Sequence, residues 1–306
     1  MELLIEYLKN INKYFNKFKE VYYKSVSEKT LSRKLMKWYK KRTGESFDIN
    51  NPKTLNEKIQ WLKMYDSTQL KADLTDKYKV REYVKERIGE EYLIPLLGVW
   101  NRYEEIDFSK LPNRFVLKTN NASGTNIIVK DKNSLDHRLL RLKINRWLDT
   151  NFAYKSGFEM HYGLISPKVI CEQHMGDNIN DYKIFCIHGV PQFIWVDLDR
   201  FYVHKRRVFD TKWNRAEFTV GAFDPVDESI EDEALKPKNL RKMLLLAREL
   251  AKGFCFVRVD LYEIENQVYF GEMTFTPSSG TERFNPGYFD VKYGEMINLP
   301  ISNKIS

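Results

Sequence analysis

The sequence predicts an α+β fold, with a helical N-terminal region over residues 1–90 followed by mainly antiparallel sheets. Three observations predict it. Apolar residues recur at helical spacing up to about residue 90, short apolar runs alternate with polar loops from Tyr92 onward, and two strand-like runs near the C-terminal end read as a hairpin. The 306 residues suffice for one large domain or for two to three lobes with cores of their own. With 42% hydrophobic, 14% aromatic and 30% charged residues, the composition is that of a globular protein and excludes an intrinsically disordered chain. The formal charge of +8 favours anionic partners: nucleotides, acidic sugars, nucleic acids or membrane surfaces. Cys171, Cys186 and Cys255 stand far apart in apolar runs. Neither a disulfide framework nor a zinc cluster is therefore expected, and the expected compartment is the reducing cytoplasm. The first residues carry early acids, so no secretory signal is expected, and no stretch is long enough to span a bilayer.

In chain order, Leu4, Leu8, Ile11, Phe15, Phe18 and Tyr22 recur at helical spacing with Lys9, Lys13, Lys17 and Lys24 among them. This amphipathic basic helix packs on the body of the protein or lies on an anionic membrane. The next helix carries Arg33, Lys34, Lys37, Lys40, Lys41 and Arg42, either a solvated face or a dock for an acidic polymer. Leu55, Ile59, Leu62 and Met64 mark a helix after Asn51-Pro52, and residues 77–88 another that stops at Gly89. Strands are expected at 93–100, 115–118, 126–130, 168–171, 182–187 and 192–198. Helices are expected at about 135–148 and 237–253, the latter after an acidic linker at 224–233.

The C-terminal hairpin is the most informative stretch. Folding it back about Asn266 sets Asp260 opposite Glu272 and Arg258 opposite Thr274, all four on one face. Facing carboxylates repel each other unless a positive charge sits between them. A magnesium ion is a natural candidate, because it takes hard oxygen ligands, usually one or two carboxylates plus substrate phosphates, and Arg258 would meet a phosphate as a fork of donors. The other reading is a surface hairpin, its register shifted by one residue and its acids facing water.

Neither a GxxxxGK loop followed by Ser or Thr nor a GxGxxG fingerprint occurs, which argues against a P-loop or dinucleotide-binding fold. Instead, the strand ending in Lys118 runs into Asn120-Asn121-Ala122-Ser123-Gly124-Thr125. Such a loop turns backbone N–H groups and the hydroxyls of Ser123 and Thr125 toward phosphates, with Lys118 as a point charge, or it is a plain hairpin turn. Val169-Ile170-Cys171 leads into Glu172-Gln173-His174-Met175-Gly176, where backbone groups suit a purine edge and Ile170 or Met175 suit its faces. His174 by itself also suits an ordinary surface position. Asp197-Leu198-Asp199 has the spacing of a DxD metal motif. In the basic stretch that follows, Arg200 suits a phosphate or carboxylate, and Arg206, within His204-Lys205-Arg206-Arg207, suits an acidic acceptor, unless the stretch is a solvated turn.

The order of Lys118, the Ser-Gly-Thr loop, the Glu172 hinge, Asp181-Tyr182-Lys183, Arg258-Val259-Asp260 and Glu272-Met273-Thr274 resembles the ATP-grasp superfamily. The phrases Asp76-Lys77-Tyr78-Lys79-Val80-Arg81-Glu82-Tyr83-Val84, Tyr92-Leu93-Ile94-Pro95-Leu96-Leu97-Gly98-Val99-Trp100, Phe115-Val116-Leu117-Lys118 and Gly271-Glu272-Met273-Thr274 look like its TupA-like branch, linked to teichuronopeptide and capsular polysaccharide synthesis. The resemblance covers about residues 30–290. It implies an ATP-grasp fold, two α+β lobes with antiparallel sheets clasping ATP. The lobes would lie at about 112–172 and 173–290 within residues 91–290, after the helical region 1–90 and before a tail at 291–306.

By position, the resemblance implies that Lys118 contacts the nucleotide phosphates and that the Ser123, Gly124 and Thr125 loop closes over them. Glu172 with the backbone of Gln173 and His174 would read adenine, and Asp181 would hold the ribose. Lys183 would lie near the phosphates, Arg258 would steady the transferred phosphoryl group, and Asp260 and Glu272 would ligate magnesium. Thr274 stands where the superfamily commonly has asparagine, and a hydroxyl is the weaker ligand, which leaves a second metal position open. The implied activity is that of an ATP-dependent carboxylate–amine ligase using ATP and Mg2+. It would join an amine or amino acid to a uronic acid of a capsular or cell-wall polysaccharide, without nucleic acid, in the cytoplasm or in peripheral contact with the inner face of its membrane. Two other classes remain in play at this point: a nucleotide-sugar glycosyltransferase using Asp197 and Asp199, and a non-enzymatic polyanion or membrane-surface binder.

Overall fold

The computed structural model describes residue 18 and residues 20–155, 157–177, 179–198, 205–221, 224–225 and 230–300. The start of the first expected helix and the side chains of Asp199, Arg200 and His204 lie outside the described residues. Helices are α1 (Glu28–Thr43), α2 (Leu55–Tyr65), α3 (Gln69–Thr75), α4 (Val80–Arg87), α5 (His137–Leu148), α6 (Leu240–Ala251) and α7 (Tyr288–Glu295). Strands are β1 (Leu96–Trp100), β2 (Phe115–Thr119), β3 (Asn126–Val129), β4 (Val169–Gln173), β5 (Asp181–Ile187), β6 (Val190–Leu198), β7 (Lys205–Asp210), β8 (Thr219–Val220), β9 (Asp224–Pro225), β10 (Phe256–Ile264), β11 (Gln267–Thr274) and β12 (Phe284–Asn285). They form two units. One holds the chain up to Ser46 with Ser67–Tyr78 and Pro95–His174; the other holds Phe47–Asp66, Lys79–Ile94 and the chain from Met175 onward.

In the first unit, α1 starts at Ser27, whose hydroxyl accepts the Thr30 N–H, and stops at Gly44 in the left-handed region at φ 84. It buries Leu31, Leu35 and Tyr39 at four-residue spacing, which turns Arg33, Lys37, Lys40, Lys41 and Arg42 to solvent. Among the described residues, β1, β4, β2 and β3 form an antiparallel sheet in that order. Strand β2 alternates cleanly. Phe115 and Leu117 are buried with Val129, Val169, Cys171 and the Leu140 and Ile144 stripe of α5, while Val116 and Lys118 point to the opposite face.

In the second unit, the described strands follow the order β11-β10-β5-β6-β7-β9, antiparallel except for the short β7–β9 pair. Every residue of β5 is buried, because both faces of the sheet are covered. One face, with Ile184, Cys186, Val257 and Val259, lies under α6, which buries Met243, Ala247 and Leu250. The other face carries Phe185, Ile187, Phe193, Trp195, Val208 and Phe256 into a core with α2, α7 and the β8–β12 pair. Ring centroids there are 4.4 Å apart for Phe185 and Phe193 and 4.2 Å for Phe185 and Trp195. Each side chain buried in this way contributes about 1.5–3 kcal/mol. The same period-two alternation, followed along the strands, replaces these aromatics with charged residues, and that end of the face carries the site described below.

Two close fits join α7 to α2. Asp290 accepts the Asn56 backbone N–H at 3.0 Å and its side-chain amide at 2.8 Å, capping the first turn of α2. Burial pushes the Asp290 carboxyl up to about 6, against those hydrogen bonds. Gly294 lies so close that a Cβ would fall 2.2 Å from the Lys53 carbonyl oxygen.

Among the described residues the expected elements form, with local differences. The helix expected at 77–88 begins at Val80, because residues 76–78 turn away to hold a loop. Helix α3 lacks a long apolar repeat and was not expected. The basic stretch around Arg206 is strand rather than turn: Val208 and Phe209 pair with Trp195 and Ile194, which sends Arg206 and Arg207 to opposite faces. In the acidic linker, Asp232 pairs with Arg207 at 2.5 Å and with Arg215 at 3.0 Å.

Candidate functional site

The hairpin has the expected register: Asp260 faces Glu272 and Arg258 faces Thr274. Pairing then shifts at Gly271, whose Cβ, if it had one, would lie 3.0 Å from the Asp260 carbonyl oxygen. The positive charge between the acids is Arg258 itself. Its Nε and Nη2 donate to the two carboxylate oxygens of Asp260 at 2.6 and 2.7 Å, and Nη2 reaches Glu272 at 2.9 Å and the Thr274 hydroxyl at 3.1 Å. Thr274 in turn donates to Glu272 at 3.2 Å. Thr274, expected as the weakest of the three metal ligands, thus sits within the Arg258 clamp.

The clamp extends across the sheet through direct cross-strand neighbours. Lys183 lies opposite Asp260, Asp181 opposite Asp197, and Asp197 opposite Arg206. The Lys183 ammonium pairs with Asp181, with Asp197 at 3.3 Å and with Asp260 at 3.5 Å. Arg206 stacks on Trp195 at 4.2 Å and pairs with Asp197 at 2.6 Å and Glu282 at 3.3 Å. Its guanidinium is therefore engaged inside the protein, not held out as an open receptor for an acidic acceptor. Asp181, Asp197, Asp260, Glu272 and Glu282 thus interleave with Lys183, Arg206 and Arg258. Burial raises the Asp260 carboxyl to about 6 against the pull of Arg258 and Lys183. Burial opposes the charge on Arg258 as well, but Asp260 and Glu272 outweigh it and leave the guanidinium raised.

The first unit carries the second group of expected residues. Lys118 pairs with Glu172 at 2.5 Å on one face of β2 and β4, with both side chains partly accessible. Beyond β2 the loop divides: Ser123 and Gly124 are exposed, with Gly124 left-handed at φ 71 and no atom near its missing Cβ, whereas Thr125 is buried. The Thr125 hydroxyl meets the Thr119 hydroxyl at 2.8 Å, so it clasps the loop base instead of facing the open side. The Gln173 N–H donates to the Pro95 carbonyl at 3.0 Å, and His174 follows half-buried at the strand end. Cys171 and Cys186 are inert as nucleophiles, since burial pushes both thiols up to about 12.

Among the described residues no group of three or more His, Cys, Asp or Glu is arranged to hold a metal by itself. Magnesium usually takes one or two carboxylates with substrate phosphates rather than an all-protein cage. Asp260 and Glu272 are hard oxygen donors of that kind and Glu272 keeps an accessible edge, but both oxygens of Asp260 are held by Arg258, so an ion there would share that carboxylate with the guanidinium.

A family model described as TupA-like ATP-grasp matches residues 57–298. The chain belongs to the TupA-like ATP-grasp family. Membership carries the ATP-grasp fold, and Asp197, the first acid of the DxD spacing, is buried between Arg206 and Lys183. No curated protein matches the chain.

Solved structures similar to this ATP-grasp chain include D-alanine–D-alanine ligase from Bacillus anthracis complexed with ATP, at 16% identity and a TM-score of 0.39, covering 73% of this chain and 63% of that one. Another is L-amino acid ligase from Bacillus licheniformis, at 14% identity and 0.40, covering 74% and 45%. A third is N5-carboxyaminoimidazole synthetase from Staphylococcus aureus complexed with ADP, at 12% and 0.39, covering 66% and 44%. The chain thus spans less than two thirds of the length of each.

Sequence reasoning missed Glu282 and the residues that hold the phosphate-type loop. Asp76 and Lys77 stood in a family-like phrase, but nothing in their spacing tied them to Asn120 and Ala122, 44 and 45 positions further on.

Proposed function

We propose that this ATP-grasp ligase joins a carboxylate to an amine in an ATP-dependent reaction, with an amine or amino acid as one substrate and a uronic acid of a capsular or cell-wall polysaccharide as the other. The observation that carries the reading is the Arg258, Asp260, Glu272 cluster in a chain of this family. The polysaccharide acceptor rests on resemblance to the TupA-like branch alone.

A carboxylate resists amines because its carbonyl is electron-rich and its leaving group poor. Transfer of the γ-phosphoryl group of ATP to a carboxylate oxygen gives an acyl phosphate and ADP. The amine then adds to that carbonyl, loses a proton and expels phosphate, leaving the amide. Magnesium, held by Asp260 and Glu272, would neutralise phosphate charge. Arg258 steadies the transferred group, and Lys118 with the N–H groups around Ser123 and Gly124 holds the phosphate tail. Glu172 and the strand end at Gln173 and His174 face the base, with the His174 backbone in the role the Gln173 N–H cannot take while Pro95 holds it. Lys183, set among Asp181, Asp197 and Asp260, keeps those acids in place, and Arg206 does the same for Asp197 and Glu282. The phosphate or carboxylate role for Arg200 belongs to the same proposal.

Among the described residues no helix is long and apolar enough to cross a membrane; peripheral contact with a membrane face belongs to the same proposal. The test is product analysis with MgATP, mixed amino acids and uronic acids. ADP and phosphate released in step with a new amide support the ligase. UDP released from a sugar nucleotide, or ligand binding without turnover, overturns it.

A further inference from the structure

The tip of the loop, Ser123-Gly124, is exposed, and a Cβ added at Gly124 would meet nothing within 4 Å, so the contacts behind the tip bear on its position. Behind it stands a buried polar cluster. Asn120, fully buried, donates its side-chain amide to Asp76 at 2.7 Å and to the Ser166 carbonyl at 3.0 Å, and its side-chain oxygen accepts the Lys168 N–H at 2.6 Å. Its backbone adds a donation to the Lys168 carbonyl at 3.1 Å and accepts the Lys77 N–H at 3.3 Å. Asp76 also accepts the Tyr78 N–H at 2.8 Å. One residue before the tip, the Ala122 carbonyl accepts the Lys77 ammonium at 2.5 Å.

We propose that Asp76, Lys77 and Asn120 are positioning residues for the nucleotide: they fix the Ser123-Gly124 tip where its N–H groups meet the phosphate tail. The inference rests on the reading of Lys118 and this loop as the phosphate-holding part. The chemistry demands these residue types. The side-chain amide of Asn120 has both donor directions and its oxygen in use, so position 76 must supply an acceptor to it while also accepting the Tyr78 N–H, and asparagine there would turn its NH2 group toward one of these two donors. A buried polar cluster that is satisfied throughout is rigid, and one left short of a partner carries the desolvation cost of the orphan group. Lys77 acts one step closer to the ligand: its donation to Ala122 orients the peptide that leads into Ser123.

A loop that holds phosphates discriminates ATP from AMP, whereas a general loosening of the unit does not. Calorimetric titration with MgATP and with AMP, on wild type, Lys118→Met, Asp76→Ala, Lys77→Met and Lys77→Arg, reads that ratio. Lys118→Met, Asp76→Ala and Lys77→Met are expected to weaken MgATP by about tenfold or more, with AMP affinity changed less than about twofold, and Lys77→Arg to retain both. Should Asp76→Ala fail to fold, Lys77→Met decides, since Lys77 is only half-buried. A wild-type ratio in the Asp76 and Lys77 variants while Lys118→Met loses MgATP overturns the inference and leaves the reading of the site standing. Equal loss of both nucleotides in Lys77→Met also overturns it, as a purely structural effect. Unchanged MgATP binding in Lys118→Met removes the underlying reading as well.

Discussion

The two candidate groups of residues present charge in opposite ways. In the cluster on β10, β11, β5, β6 and β7, acids and cations are nearly all buried, are built from side chains, and sit directly across from each other in the sheet. In the other, the partly accessible pair of Lys118 and Glu172 stands beside the exposed Ser123-Gly124 loop, whose proposed phosphate contacts are backbone N–H groups. A buried network keeps its geometry whether or not ligand is bound, but each member depends on its partners. A backbone loop depends little on any single charge and much on what anchors it. Substitutions in the first region should therefore cost stability and chemistry together, and those in the second should separate the two.

The largest effect is expected from Asp260→Asn. It keeps one acceptor oxygen for the buried Arg258 guanidinium but turns an NH2 group toward its second prong, and breaking a buried pair costs up to about 3–5 kcal/mol. Denaturant unfolding should show that loss along with the disappearance of ATP turnover. A stable, folded Asn variant would mean that the network is not held together as described.

Glu272→Gln sharpens the point, because Glu272 sits at the accessible edge of the same cluster with 29% of its side chain exposed. Its amide oxygen still accepts from Arg258, so the stability change should stay near 1 kcal/mol. Magnesium-dependent ADP release should fall by about a hundredfold. The two variants thus distinguish the clamp from the metal position, and equal turnover in Glu272→Gln and wild type would remove magnesium from this carboxylate.

This asymmetry explains what was legible in the sequence. The register of Asp260 against Glu272 follows from period-two geometry within one short hairpin, and the family phrases lie along continuous chain. What stood in the way was tertiary. That Arg258 itself fills the space between the acids, and that Arg206 turns inward onto Trp195 and Asp197, depends on rotamers and on strand β7, for which the sequence offered a basic stretch resembling a turn. Thr125 reads like a phosphate ligand until Thr119 is seen beside it. Asp76 lies 44 residues from Asn120, and no local pattern reports such a contact.

A buried acid outside the network provides a smaller effect and a control on burial itself. Asp290 has a folded pKa raised to about 6 from an ordinary 3.8, with neutral amide and backbone donors around it instead of an arginine. Because the folded form holds the proton more tightly, the contribution of Asp290 to stability is greatest below 3.8, falls as pH rises through the window up to about 6 and is level above it. The total is about 1–3 kcal/mol. Melting curves of wild type and Asp290→Asn between pH 4 and 7 should diverge across that window and run parallel above it. Parallel curves throughout would show that Asp290 is not desolvated.

The smallest stability effect is expected from Lys118→Met, and it is the sharpest test of the contrast. Methionine keeps most of the apolar stem that lies on the face of β2 and removes the ammonium paired with Glu172. With 21% of the lysine and 10% of the glutamate side chain accessible, water compensates part of the lost pair, so the cost should be about 1 kcal/mol. MgATP affinity should nevertheless fall by about tenfold, since the point charge toward the phosphates is gone. Raising the ionic strength should narrow the gap between wild type and variant, because an accessible charge is screened by salt in a way that the buried Arg258 clamp is not. A Lys118→Met protein that loses several kcal/mol of stability, or whose MgATP deficit is indifferent to salt, would place this pair in the same class as the buried network and dissolve the distinction between the two regions.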